Sequence, residues 1–389
     1  VNGDLHLSLR YEPGGGGGGG PMIVRRIVGG PGGGGPGGAP TIVRAAPGEM
    51  RGPGGHGGGP DSSLARMPFF RDAPRQNFGL TKLEILPGNV GYLAVSGFVG
   101  APGVEQVIAS ALRFLERTDA IIIDVRMNRG GSGEMSHYLF SHFLPEKPVQ
   151  TIRVKSRDGE ESRVQESIAD VLGPRRTDVP LYVLTSRGTG SAAEEFSFVL
   201  KNLGRATIVG ERTAGAGHMV GSFGLPDGFA AGVSITRVSD PRTGREWEAI
   251  GVQPDVAVEA EHALAVAHAA ALRGFAAGAT DDAERRRSTL LAEWVEAKDR
   301  AATLDAAGAA AAVGAYDGER LITLRDGRLQ YKRAGMPAME LTPLASGGYT
   351  FDGEARIRFG DGTPAVGITI ERGDGTIASF ARTGGGSRN

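Results

Sequence analysis

The chain of 389 residues contains no cysteine. That excludes a disulfide framework, a thiolate metal site and a cysteine nucleophile. Charge of one sign is lacking too. The formal net charge is −1, so nothing favours nucleic acid or an anionic membrane surface as a partner. No apolar run approaches the roughly 20 residues of a membrane-spanning helix, and no transmembrane segment is expected. An initiating methionine is lacking as well, since the chain opens on Val1 inside a stretch that reads as structured. The expectation is that a natural start, with any signal peptide, has been lost.

Glycine is abundant, and it is concentrated. Residues 13–60 hold 22 Gly and 8 Pro among 48 positions, too little apolar surface to offset the chain entropy of ordering. This stretch reads as a flexible insertion. Two islands in it, Met22–Val28 and Thr41–Arg44, have the composition of a short hairpin. About 40% of the whole chain is hydrophobic, enough for a real core, and the length suits two or three domains.

From Asn77 to about Ala277 strand and helix patterns alternate. Gly91–Val95, Ala120–Val125, Leu181–Leu184 and Thr207–Val209 read as strands, the second and third as apolar runs buried on both faces. Val104–Glu116, Ser132–Phe143, Ser191–Leu203 and Ala260–Phe275 read as helices. The expected fold is α/β, layered on a mainly parallel sheet. A charged helix over 283–304 follows. Asp-Gly pairs then begin at Asp317, Asp326, Asp352, Asp361 and Asp374, the strongest short hairpin signal. An antiparallel β meander or small barrel is expected there. The expected divisions are 1–12, the insertion 13–76, an α/β core 77–280, and a helix plus β domain 281–389.

Two turns follow buried strands. In Leu184–Phe196 (LTSRGTGSAAEEF) a strand ends, glycines turn the chain, and a helix starts at Ser191. A serine there lies at the carboxyl edge of the sheet, where open α/β sheets place their sites. Helix N-terminal amides beside it are able to hold an oxyanion. The same residues also fit a plain N-cap, with Glu194 completing a capping box. Asp124–Gly131 (DVRMNRGG) ends in paired glycines, which let backbone approach a ligand or simply turn the chain. A nucleophilic serine needs a base. His56, His137, His142, His262 and His268 read as filler or surface residues. His6, near the chain start, and His218, in a Gly-rich loop, remain candidates, and spacing does not choose between them.

These segments, with Asn77–Tyr92 (NFGLTKLEILPGNVGY), Arg205–Ala214 (RATIVGERTA) and Trp247–Asp255 (WEAIGVQPD), resemble the S41 serine peptidases, the tail-specific and tricorn-like proteases. Within that family the branch similar to interphotoreceptor retinoid-binding protein is nearest in pattern. The resemblance covers roughly 1–12 and 77–275. It implies an acyl-enzyme peptidase acting on peptide or protein substrates, in the periplasm or outside the cell, without metal or organic cofactor. It implies Ser191 as nucleophile, His6 of the Asp4-x-His6 segment as base, and Glu248 as supporting carboxylate. The amide of Ala192 and that of Gly130 or Gly131 would form the oxyanion hole, with His218 as second choice of base. The chain departs from the family pattern at three places. No lysine stands in 214–220, Leu5 replaces the serine beside the histidine, and the peptide-docking PDZ module has no room. A lipid- or retinoid-binding protein on the same fold, and an esterase, are the other readings of these residues. Oligomeric state is not encoded in any of these features.

Overall fold

The computed structural model describes residues 8–11, 22–23, 43–44, 72–156, 162–300 and 305–383. Two compact units divide at Ala263 and Leu264. In chain order the first unit contains β1 (Ser8–Tyr11), β2 (Met22–Ile23), β3 (Val43–Arg44), β4 (Leu80–Leu86), β5 (Val90–Val95), α1 (Val104–Phe114), β6 (Ala120–Asp124) and α2 (Gly133–Ser141). There follow β7 (Gln150–Ser156), β8 (Ser162–Glu166), β9 (Leu181–Thr185), α3 (Ala192–Asn202), β10 (Thr207–Gly210), β11 (Met219–Gly224), β12 (Phe229–Ser239) and β13 (Val256–Ala257).

The central sheet runs β13-β10-β9-β6-β5-β4. Every pair in it is parallel except β4 with β5. Parallel sheets need both faces covered, and β6 shows the result: all five of its residues are buried. Ile121 and Ile123 share one apolar cluster with Ile108 and Leu112 of α1, Leu139 and Phe140 of α2, and Phe196 and Leu200 of α3. The β-branched run makes β6 a strand, and the apolar stripe of α1 turns that helix onto the sheet. Parallel order aims the carboxyl ends of β6 and β9 the same way, so the turns that follow them lie side by side.

A second sheet runs β3-β2-β11-β12-β7-β8, with β1 also paired to β12. It was not expected from the sequence. β7 alternates Ile152 and Val154 with Thr151, Arg153 and Lys155, and β12 is built largely of small residues, so neither has a continuous apolar run. The two islands of the Gly-rich stretch do pair, Met22 with Arg44 and Ile23 with Val43, and β2 joins β11. The remaining residues of 12–71 lie outside the described ones.

His142 closes α2 and is fully buried. Its Nδ1 lies 2.9 Å from the Pro174 carbonyl, and the Tyr138 ring meets it edge-on. Burial pushes its pKa down to about 4, while the Pro174 contact raises it and nearby Arg175 lowers it further. The unfolded chain therefore binds the extra proton first. Stability from this group is full above about pH 6.5 and is lost as pH falls toward 4, a change of about 3 kcal/mol by linkage. His142→Phe should flatten the stability curve over that interval in urea titrations at stepped pH. An unchanged slope would show that His142 is not held neutral.

The second unit holds α4 (Ala263–Gly278), α5 (Asp282–Asp299) and α6 (Ala306–Ala312). Then come β14 (Gly314–Tyr316), β15 (Arg320–Arg325), β16 (Arg328–Arg333) and β17 (Met339–Glu340), one antiparallel sheet. β18 (Thr342–Pro343), β19 (Tyr349–Thr350), β20 (Ala355–Phe359), β21 (Gly367–Arg372) and β22 (Ile377–Ala381) form another. Each of the five Asp-Gly pairs lies between consecutive strands. At Asp326-Gly327 both φ angles are positive, 48° and 73°, as a two-residue hairpin turn matching strand twist requires. The strands thus make the expected antiparallel meander, in two sheets joined by an antiparallel bridge between Tyr316 and Arg382.

Candidate active site

Ser191 sits between β9 and α3. Its backbone adopts φ 54° and ψ −120°, a conformation that is costly for any residue but glycine. Packing around the turn holds it there. Ser186 N–H donates to Thr189 Oγ1 at 3.0 Å, and the Thr189 hydroxyl donates to Val125 O at 2.9 Å. Gly190 N–H donates to Asn128 O at 3.1 Å. The Ser186 hydroxyl reaches Arg126 O. The turns after β6 and β9 are therefore one fastened unit.

The Ser191 side chain faces the Glu194 N–H in a capping-box arrangement, without a full side-chain cap hydrogen bond. Glu194 Oε2 accepts from Ser191 N–H at 2.8 Å, and Glu194 N–H donates to the Ser191 carbonyl at 2.9 Å.

Gly130 lies against this serine. A Cβ there would fall 2.7 Å from Ser191 Cβ, 2.8 Å from Gly190 O and 3.1 Å from Ala192 N. Its φ of 106° also suits only glycine. Its own N–H donates to Asn128 Oδ1 at 2.8 Å, so the Gly130 amide is already engaged. The glycine serves as open space beside Ala192 N–H, the first amide of α3, which makes no hydrogen bond among the described residues. Gly131 bridges Phe98 in parallel register. A Cβ at Gly131 would stand 2.1 Å from the Phe98 carbonyl. Sequence reading gave Asn128 no role. Its signal is the spacing: an Asn side chain reaches the amide two residues on.

Behind the turn, Asp124 accepts from the Tyr92 hydroxyl at 2.7 Å and from Arg126 Nε at 2.9 Å. Burial pushes the Asp124 carboxyl up, but the Arg126 and Tyr92 hydrogen bonds outweigh it and hold the group below the usual range. Burial, then the hydrogen bond to Asp124, raises the Tyr92 hydroxyl. This buried network fixes the end of β6 from which the Gly130 turn departs.

The loop after β10 carries His218. Glu248 Oε2 accepts from Gly217 N–H and His218 N–H, both at 2.8 Å. The imidazole stands between two carboxylates, with Nδ1 4.0 Å from Glu248 and Nε2 3.9 Å from Glu246. The structure thus brings Glu248 to His218. His6 and Asp4 lie outside the described residues. His137 Nε2 is held 2.8 Å from Glu166 O, and His142 by Pro174. Among the described residues, one group has metal-ligand spacing: Glu259, Glu261 and His262, with both acids exposed.

A serine in a strained strand–turn–helix over the carboxyl edge of a parallel sheet defines an α/β protein built around that turn. Residues 89–258 match Peptidase family S41. The carboxyl-terminal-processing protease of Synechocystis sp. (strain ATCC 27184 / PCC 6803 / Kazusa) is 34% identical over 176 residues, 44% of this chain and 39% of that protein. Carboxy-terminal processing protease CtpB of Bacillus subtilis (strain 168) is 25% identical over 190 residues, 48% of this chain and 38% of that one. The solved photosystem II D1 C-terminal processing protease is 27% identical, covering 46% of this chain and 45% of that one at TM-score 0.38. The likeness to peptidase family S41 lies in residues 89–258. The chain spans about two fifths of the length of those two curated relatives.

Proposed function

We propose that the protein is a serine peptidase that cleaves peptide or protein substrates through an acyl-enzyme, with Ser191 as nucleophile. The observation that carries this reading is the Ser191 turn: a strained backbone that sets the serine at the start of α3, with the open Ala192 N–H beside it. Attack by the hydroxyl oxygen on a scissile carbonyl forms the tetrahedral intermediate. Its oxyanion takes the Ala192 N–H, strengthened by the positive end of α3. Collapse expels the amine and leaves the ester, which water hydrolyses.

The base is proposed as His218, with Glu248 orienting it. Glu246 and Glu248 flank this imidazole, and Glu248 also accepts the Gly217 and His218 amides, which supports an orienting role. His6, which the family resemblance nominates, is the competing base. The resemblance also supports a periplasmic or extracellular workplace. Among the described residues, no helix is long and apolar enough to cross a membrane.

A fluorophosphonate probe should label the wild-type protein at Ser191, and a peptide-library digest should then yield cleavage products. Failure of both would favour a ligand-binding role, while labelling with ester but no peptide turnover would make it an esterase. His218→Ala and His6→Ala decide the base. The expectation is a fall in kcat of about 10³-fold or more for His218→Ala, with His6→Ala near wild type. The reverse pattern would return the role to His6.

A further inference from the structure

Glu194 does more than a cap requires. It is fully buried, with none of its surface exposed. Oε2 accepts from Ser191 N–H and Ala216 N–H, both at 2.8 Å. Oε1 accepts from the Thr213 hydroxyl and Gly215 N–H, both at 2.6 Å. No lysine, arginine or histidine pairs with it among the described residues. A capping box uses one of these four bonds, and an exposed glutamate makes it as well. The other three go to a segment 19 to 22 residues further along, and burial of a carboxylate without a cation is costly. Burial raises its pKa, against the four hydrogen bonds that lower it.

We infer that Glu194 is a positioning residue: its carboxylate locks the Ser191 turn to the 213–218 loop and so fixes the nucleophile hydroxyl relative to its base. The inference rests on Ser191 being the nucleophile. Two consequences follow from the geometry. Ser191 N–H is consumed by Glu194 and does not serve the oxyanion, which leaves that task to Ala192 N–H. Thr213 Oγ1, while donating to Glu194, accepts from Val252 N–H at 2.7 Å, so the segment leading from Glu248 to β13 is tied to the same carboxylate.

Glu194→Gln tests this in the full chain. The shape is conserved, but an NH2 group must then face backbone N–H donors, so the lock opens without a cavity. Peptide turnover, labelling rate with the fluorophosphonate and thermal unfolding are measured together. The expected result is a kcat lower by about 100-fold, as for a misplaced reacting group, slower labelling in proportion, and KM within a few-fold, in a protein that still unfolds cooperatively. A merely structural glutamate would lower the melting temperature and leave kcat intact below it. That result, or a change confined to KM, overturns the inference. Should Glu194→Gln not fold, Thr213→Val removes one of the four bonds. Its kcat is expected to fall in the same direction, and an unchanged kcat overturns the inference. Ser191→Ala separates the two levels: if it stays active the nucleophile reading fails, whereas an inert Ser191→Ala beside a fully active Glu194→Gln defeats only the positioning role.

Discussion

Ser191→Ala is expected to abolish peptide turnover, with kcat lower by about 10⁵-fold or more, and to leave the melting temperature within a few degrees of wild type. The two halves of that expectation have one cause. The Ser191 hydroxyl makes only the capping-box approach to the Glu194 N–H and no full cap hydrogen bond, so its removal costs about 1 kcal/mol at most. The Cβ stays, and with it the packing against Gly130. Loss of the nucleophile removes the acyl-enzyme route altogether. Parallel measurement of turnover and thermal unfolding checks both halves. Early melting with turnover retained would reduce Ser191 to a cap, worth about 1 kcal/mol.

Gly130→Ala is the second large effect. The new methyl would stand 2.7 Å from Ser191 Cβ and 2.8 Å from the Gly190 carbonyl. Neither atom belongs to a flexible side-chain end, so the turn itself must move. The methyl would also lie 3.1 Å from Ala192 N, in the space where an oxyanion would be received. Turnover should fall about 100-fold or more. Overpacking and the positive φ should together cost about 1–3 kcal/mol of stability. Gly131→Ala makes the contrast. There the clash is with the Phe98 carbonyl, 2.1 Å away, and the damage should register first as lost stability. Wild-type kcat in Gly130→Ala would show that the space beside Ala192 N–H is not used.

The buried strands were legible because they are continuous apolar runs. Ile121–Ile123 and Leu181–Leu184 have no alternative to a two-sided burial, and each expected end lies within one residue of the observed one. The Asp-Gly hairpins were legible because the turn chemistry is local. The second sheet was not, because β7, β11 and β12 gain their places from pairing rather than from composition. Gly221 and Gly232 lie in paired strands, yet each reads as a loop residue in isolation. At the site, the Ser191 turn and the Gly-Gly turn were visible from their strands. What the sequence concealed is the division of labour among amides. The Gly130 N–H is taken by Asn128, and the Glu194 side chain takes the Ser191 N–H. Both facts depend on partners chosen in three dimensions. The family resemblance favoured His6, whereas the flanking of His218 by Glu246 and Glu248 follows from a loop path that no spacing rule describes.

The fastening of the Ser191 turn has a temporal side. Its partners precede it, at Asn128, and follow it, through Glu194, at Thr213, Gly215 and, through Thr213, Val252. A polypeptide emerging from the ribosome has made Ser191 long before it makes Val252. Until then the later fastenings are incomplete, and the strained backbone leans on the turn after β6 alone. On the proposed function, a nascent chain would lack a fully positioned nucleophile while its neighbours are still unfolded. The order of synthesis thus sets the order in which the ties around Ser191 close.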